Sequence, residues 1–236
     1  MPEKTLSGHP REIHVTGFLD RVKTLTVRSA DSSLLFLLGS GASRQSGIKT
    51  AGEMVADWLE ILRKEDPDHE TVREGKWAAA ARLEIPRFDP SDPAASYPQV
   101  FARAYRGRRA EGFDYLEAEV AGRAPSFGYS VLAQILATTK HKVVVTTNYD
   151  NLVVDALSIY TTATALVGGR ESLAGFIRHR PAHPEVVKVH QDWFHASQHA
   201  TEATGVLPTE FAHALKELFE EHIPVVIGYG GNDGGL

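Results

Sequence analysis

The stretch KVVVTTNYDN, residues 142–151, decides how the chain is read. Three consecutive valines are too short a run for a helix and show no alternation of apolar and polar residues. A short, continuously apolar, β-branched run is the mark of a strand buried on both faces, as in a parallel sheet covered by helices. LVVDAL (152–157) follows at once, with Leu152, Val153, Ala156 and Leu157 at helical spacing. A strand that gives way to a helix within a few residues is one half of a βαβ unit. Between the two stand an amide, Asn148, and a carboxylate, Asp150, where a turn geometry or a helix cap accounts for either as readily as a ligand does.

The same grammar extends outward in both directions. LLFLL (34–38) is a second buried run, closed by GSGAS (39–43). A helix then opens with a capping-box pair, Thr50 and Glu53, and carries Met54, Val55, Trp58, Leu59 and Leu62 on one face. Upstream, Val15, Phe18, Leu19, Val22 and Leu25 predict an opening helix. Downstream of Pro125, Val131, Leu132, Ile135 and Leu136 predict another, ahead of the strand 142–147. After it come a weaker strand near TATALV (162–167), a helix around 171–178 and the strand EVVKV (185–189). A last helix holding Phe211, Leu215, Leu218 and Phe219 leads to the strand PVVIG (224–228). The fold class is therefore α/β, a Rossmann-like parallel sheet with helices on both faces.

Residues 65–112 interrupt this rhythm as a charged insert, helical or looped. PRFDPSDPAASYP (86–98) packs four prolines into thirteen residues and reads as irregular, either a lid or partner-facing surface or a plain surface loop. RAYRGRR (103–109) reads as a solvated helix face. One domain spanning 1–236 fits the length, and the close of the sequence soon after GYGGND suggests the N-terminal part of a longer protein.

Composition narrows the chemistry. The chain has no cysteine, which excludes disulfides, a thiol nucleophile and a cysteine-ligated zinc. Its net charge of -5 gives no electrostatic footprint for nucleic acid, so direct nucleic-acid binding is not expected. There is no run of about 18 apolar residues for a membrane span and no apolar segment of a secretory signal within residues 1–15, so the expectation is a cytoplasmic protein. His183, His190, His195 and His199 lack a metal-ligand spacing, and no metal is expected.

In an open parallel sheet, ligands bind outside the carboxyl ends of the strands. There this sequence places Gly39-Ser40-Gly41-Ala42-Ser43, then Asn148-Tyr149-Asp150, then His190, then Gly228-Tyr229-Gly230-Gly231-Asn232-Asp233. GSGAS suits a phosphate cradle of backbone N–H groups and hydroxyls, but it is neither the dinucleotide fingerprint nor a P-loop, and tight strand-to-helix geometry alone would also call for its glycines. His190, after the buried-looking Val189, suits a core histidine as well as a catalytic one.

Taken together and in this order, GSGAS with GIKT after it, TTNYD, KVH and GYGGND resemble the sirtuin-like NAD-binding domain, in the variant of bacterial anti-phage NAD hydrolases. The resemblance covers residues 34–60 and 125–236. It implies that Gly39, Ser40, Gly41, Ala42 and Ser43 hold the NAD diphosphate, that Asn148 and Asp150 form the nicotinamide-ribose pocket, and that His190 is the catalytic histidine. It gives Gly228 and Asn232 to the adenosine side, with Thr147 and Tyr229 as further NAD contacts. Two positions depart from the family pattern: Gln191 stands where glycine is usual, and Lys49 where proline is usual.

The implied reaction is cleavage of the nicotinamide–ribose bond of NAD, giving nicotinamide and ADP-ribose, in an abortive-infection effector. Charge builds on the ribose as the neutral base departs, in the manner of an oxocarbenium-like glycosyl transfer. Asn148 suits the positioning of a water or ribose hydroxyl, and a near-neutral His190 suits acceptance of its proton. NAD is thus expected as substrate, with activity regulated through a homo-oligomer or a partner domain or subunit. Two other readings stand beside it: a non-catalytic subunit that senses NAD or ADP-ribose or serves a structural role, and an NAD-dependent protein deacylase, for which the four-cysteine zinc site is missing.

Overall fold

The computed structural model describes residues 12–28, 32–66, 83–169, 175, 177–178, 180–189, 207 and 209–231. Among them the chain forms eight α-helices and one five-stranded, all-parallel sheet. In chain order these are α1 (Val15–Arg28), β1 (Ser33–Leu38), the single helical turn α2 (Ser40–Ser43), α3 (Ala51–Glu65), α4 (Tyr97–Ala104), α5 (Arg109–Val120), α6 (Phe127–Thr138), β2 (Val143–Thr146), α7 (Leu152–Tyr160), β3 (Leu166–Gly168), β4 (Glu185–Lys188), α8 (Thr209–Glu221) and β5 (His222–Ile227).

The strand order is β3-β4-β2-β1-β5. From β1 the chain moves to one side through β2, and it returns to place β5 on the other side of β1, in register from Ser33↔His222 to Leu38↔Ile227. The crossing of direction at β1 is a topological switch point, where the loops leaving adjacent strands part and a crevice opens.

Burial on both faces follows from the strand sequences. Leu34, Phe36, Leu38, Val144 and Val186 enter a core shared with α3 to α7, while Leu35, Leu37, Val143, Val145 and Val187 pack against Phe211, Leu215 and Leu218 of α8. Side chains of one strand alternate between the two cores, so the absence of polar alternation in the sequence was the signal of two covered faces. The edge strand β5 is less covered, with Val226 54% exposed.

α3 forms as its sequence predicts. The Thr50 hydroxyl accepts from the Glu53 N–H, the Glu53 carboxylate accepts from the Thr50 N–H, and Met54, Val55, Trp58 and Leu62 are buried. In α6 the expected Leu132 and Leu136 are buried and Ile135 packs against the core, joined by Tyr129 and Ala133, while Val131 is exposed. α1 exists, yet of its predicted stripe only Val22 and Leu25 pack on the core, while Val15, Phe18 and Leu19 are exposed. β3 is shorter and later than expected, at Leu166–Gly168. The helix expected at 171–178 falls mostly outside the described residues, and Ile177 and Arg178 are not helical.

The larger corrections lie in the insert, of which residues 67–82 are outside the described residues. The remainder is no surface loop. Leu83, Ile85, Phe88, Val100, Phe101 and Tyr105 are buried, and Trp58 of α3 meets Tyr97, Phe101, Tyr105 and Tyr115 at ring-centroid distances of 4.8 to 6.4 Å. Four prolines misled because two of them serve helix starts, Pro93 in the 3₁₀ turn 93–96 and Pro98 in the first turn of α4. RAYRGRR is likewise not one helix face but the end of α4, a turn through Gly107 at φ 76°, and the start of α5. Its arginines are spent locally, Arg103 on the Leu83 carbonyl and Arg108 on Glu65.

Candidate functional site

Three strand ends meet at the switch point. The loop after β1 lies directly against the loop after β5: Gly39 N–H donates to the Ile227 carbonyl and Gly41 N–H to the Gly228 carbonyl, both at 3.0 Å. The contact is backbone on backbone, so a Cβ on Gly39 would lie 2.5 Å from the Tyr229 Cα, and one on Gly228 2.2 Å from the Ala42 nitrogen. Gly228 also has φ +63°. These glycines are required by the approach of two loops. The loop after β2 is tied in by Thr147 N–H donating to the Leu38 carbonyl at 3.1 Å.

Ser43 is the hub of the buried polar network there. Its hydroxyl donates to Asp150 Oδ2 at 2.6 Å, and Asn148 Nδ2 donates to the same oxygen atom of Ser43 at 3.0 Å. With the serine proton committed to Asp150, the 2.8 Å contact to the Tyr129 hydroxyl has Tyr129 as donor. Asn148, 7% exposed, gives its other amide proton to the Gly39 carbonyl at 3.0 Å. Asp150 Oδ1 accepts from Leu152 N–H at 3.1 Å, which satisfies a first-turn donor of α7. Asn148 and Asp150 thus stand where strand gives way to helix partly for structural reasons: one clamps β1 to α2, the other starts α7.

Burial pushes the Asp150 carboxyl up from its ordinary value, opposed by the Ser43 and Leu152 hydrogen bonds and by the charge of Lys188. The Tyr129 hydroxyl is pushed up by burial and by Asp150, so it stays a neutral donor at physiological pH. Lys188, 5% exposed, donates to the Tyr149 carbonyl at 3.1 Å and to Asn151 Oδ1 at 2.7 Å, locking the 149–151 turn from the neighbouring strand.

Beside this network a cavity of about 320 Å³ opens at the carboxyl edge. Of the residues expected to bind ligand, Ser40, Gly41, Ser43, Thr147, Asn148, Asp150, Gly228 and Tyr229 line it, while Gly39 and Ala42 lie behind the wall. His190 and Asn232 fall outside the described residues; the chain reaches the carboxyl edge at Val189, whose N–H donates to the Thr146 carbonyl at 2.9 Å. The cradle is also less free than GSGAS implies. Gly39, Gly41 and Ala42 N–H groups are bonded to carbonyls, and Ser40 Oγ accepts from the Ala51 N–H at 3.1 Å, at the start of α3.

Several contributors are not assigned to the site by the sequence, among them Tyr129, Lys188 and Lys49. Tyr129 is the polar-tipped member of the buried face of α6, adjoining the apolar stripe that the spacing shows. Lys188 is a lone cation inside a buried strand, which by itself calls for a partner. Lys49 lines the cavity between Asp57 at 2.7 Å and Glu119 at 2.6 Å, and these two hydrogen bonds, first to Asp57, raise its pKa.

Fold and site together define an α/β protein with a ligand-sized cavity at the switch point of a parallel sheet. No known family model matches the chain, and no curated protein matches its sequence. Among the described residues no helix is long and apolar enough to cross a membrane.

Proposed function

We propose that the cavity binds NAD and that the chain is an NAD glycohydrolase of the sirtuin-like kind, releasing nicotinamide and ADP-ribose, with abortive-infection anti-phage defence as its role. One observation carries this reading: Ser40, Gly41, Thr147, Asn148, Asp150 and Gly228, drawn from three strand ends and named from three short motifs, line one cavity. A parallel-sheet switch point is where nucleotide ligands bind.

On this reading Asn148 orients the attacking oxygen and His190 takes its proton. Asp150, fixed by Ser43 and Leu152, keeps the pocket's polar wall in place while positive charge develops on the ribose. A hydrolase acting on free NAD requires restraint, so activity belongs to a homo-oligomer or to a complex with a partner domain or subunit.

One observation favours a second reading, a non-catalytic sensor of NAD or ADP-ribose: both Asn148 amide protons are given to protein acceptors, Gly39 O and Ser43 Oγ. Product analysis separates the two. The protein is incubated with NAD, alone and with candidate activators, and nicotinamide and ADP-ribose are quantified; His190→Ala is run alongside. The hydrolase reading expects both products in equal amounts and their loss in the variant, whereas binding without products leaves the sensor.

A further inference from the structure

The cavity has two unlike ends. One is the polar wall of strand loops; the other is formed by Met54 of α3, Ala94 and Tyr97 of the former insert, and Leu116 and Val120 of α5. Tyr97 is held there by its ring contact with Trp58 at 4.8 Å and by its hydroxyl 3.8 Å from Met54 Sδ. A flat aromatic face beside a polarisable sulfur is a surface on which a heteroaromatic ring packs well.

Gly52, the second residue of α3, lines this cavity without a structural reason to be glycine. Its backbone is not among the positive-φ positions. An added Cβ would meet nothing nearer than the Ala94 Cβ at 3.9 Å, an ordinary contact. A helical glycine is less stable than alanine, so the position carries a cost that neither conformation nor packing explains. Gly41 and Gly228, on the same cavity's other side, are the contrast: there a Cβ would collide with backbone. What the missing side chain at Gly52 preserves is space.

We infer that Gly52 is a specificity-determining position, which with the small Ala94 opposite keeps the apolar end open for the planar base at the nicotinamide end of the dinucleotide, packed against Tyr97 and Met54. The inference rests on the NAD reading and adds to it which part of the ligand occupies which end. A side chain at position 52 then competes with the base and not with the rest of the ligand.

The test uses the parent chain, Gly52→Ala and Gly52→Leu, each melted and then titrated calorimetrically with NAD and with ADP-ribose, which lacks the base. Gly52→Ala is expected to melt roughly 1–3 °C above the parent. For NAD the Kd rises about threefold in Gly52→Ala and about tenfold or more in Gly52→Leu, as overpacking grows. For ADP-ribose it stays within about twofold of the parent. NAD binding by folded Gly52→Leu at parental affinity, or equal loss of both ligands, overturns the inference. A parent chain that binds neither ligand overturns the NAD reading itself, and this inference with it.

Discussion

The two edges of the sheet bury polar groups in different ways. At the amino edge, His141 is 2% exposed and its Nδ1 accepts from the Leu34 N–H at 3.0 Å, while His222 Nδ1 lies 2.9 Å from the Leu218 carbonyl. Each ring bonds to the backbone of a neighbouring element or turn. At the carboxyl edge, Ser43, Tyr129, Asn148 and Asp150 bond to one another, and their network fronts a cavity of about 320 Å³. Buried polar groups by themselves report satisfied packing; side chains from several strand ends converging on open space report a place for a ligand.

The sharpest way to break the carboxyl edge is Gly228→Val. It combines φ +63° with a Cβ 2.2 Å from the Ala42 nitrogen, so the two glycine loops must separate. The expected loss is about 3 kcal/mol or more, seen as a drop of roughly 6–12 °C in melting temperature. Gly231→Ala, at φ +76° with nothing within 4 Å, is the control and costs only the backbone strain of about 1–2 kcal/mol. Equal effects of the two would mean that the loops do not touch as described.

Ser43→Ala comes next. It leaves Asn148 Nδ2, the Tyr129 hydroxyl and Asp150 Oδ2 each short of a partner, for an expected loss of about 2–3 kcal/mol by denaturant titration. Ser43 lines the cavity but is 1% exposed, so its loss is read first as a loss of the wall's stability. Gly41→Val would not isolate diphosphate binding, because its Cβ would lie 2.9 Å from the Gly228 Cα and displace the loop as well.

At the amino edge the expected effect is smaller and depends on pH. Burial, then the charges of Lys140 and His222, lowers the His141 pKa. A histidine whose folded value lies below its unfolded one contributes its stability in full above the unfolded value of about 6.5. That contribution is lost as pH falls from there through the folded value, because protonating Nδ1 breaks the bond from Leu34. Denaturant midpoints measured from pH 8 to pH 5 should fall in this window for the parent and flatten in His141→Gln, which keeps an acceptor but does not titrate. An unchanged slope in His141→Gln would assign the window to another group.

The smallest effect is expected on the surface. Arg63 hydrogen-bonds Glu60 at 2.7 Å and takes its pKa to about 2, yet both side chains are 44% exposed. Glu60→Gln should move the melting temperature by no more than about 1 °C at moderate salt.

The sheet was legible because a parallel strand must be apolar on both faces, and LLFLL, KVVV and EVVKV have no other comfortable place. The capping box of α3 was legible because it is a local device spelled by two residues. The insert was not, since proline punctuates helix starts as readily as loops, and the burial of Phe101 and Tyr105 against Trp58 comes from long-range packing that periodicity in a proline-rich segment does not reveal. At the site, motif order located the lining residues Gly41, Asn148, Asp150 and Gly228. It did not reveal that Ser43 gives its hydroxyl proton to Asp150 and that Ser40 Oγ accepts from the Ala51 N–H, nor that the insert supplies Ala94 and Tyr97 to the cavity, because these facts depend on partners more than ten residues away in sequence.

Hydrogen–deuterium exchange with and without NAD tests the contrast between the edges most directly. If the carboxyl-edge cavity is the NAD site, saturating NAD slows exchange in peptides covering 39–52, 147–152 and 228–230 and leaves those covering 139–143 and 222 unchanged. Exchange that is the same everywhere with NAD present, or protection appearing at His141 and His222 while Gly41, Asn148 and Gly228 are unaffected, would contradict the account.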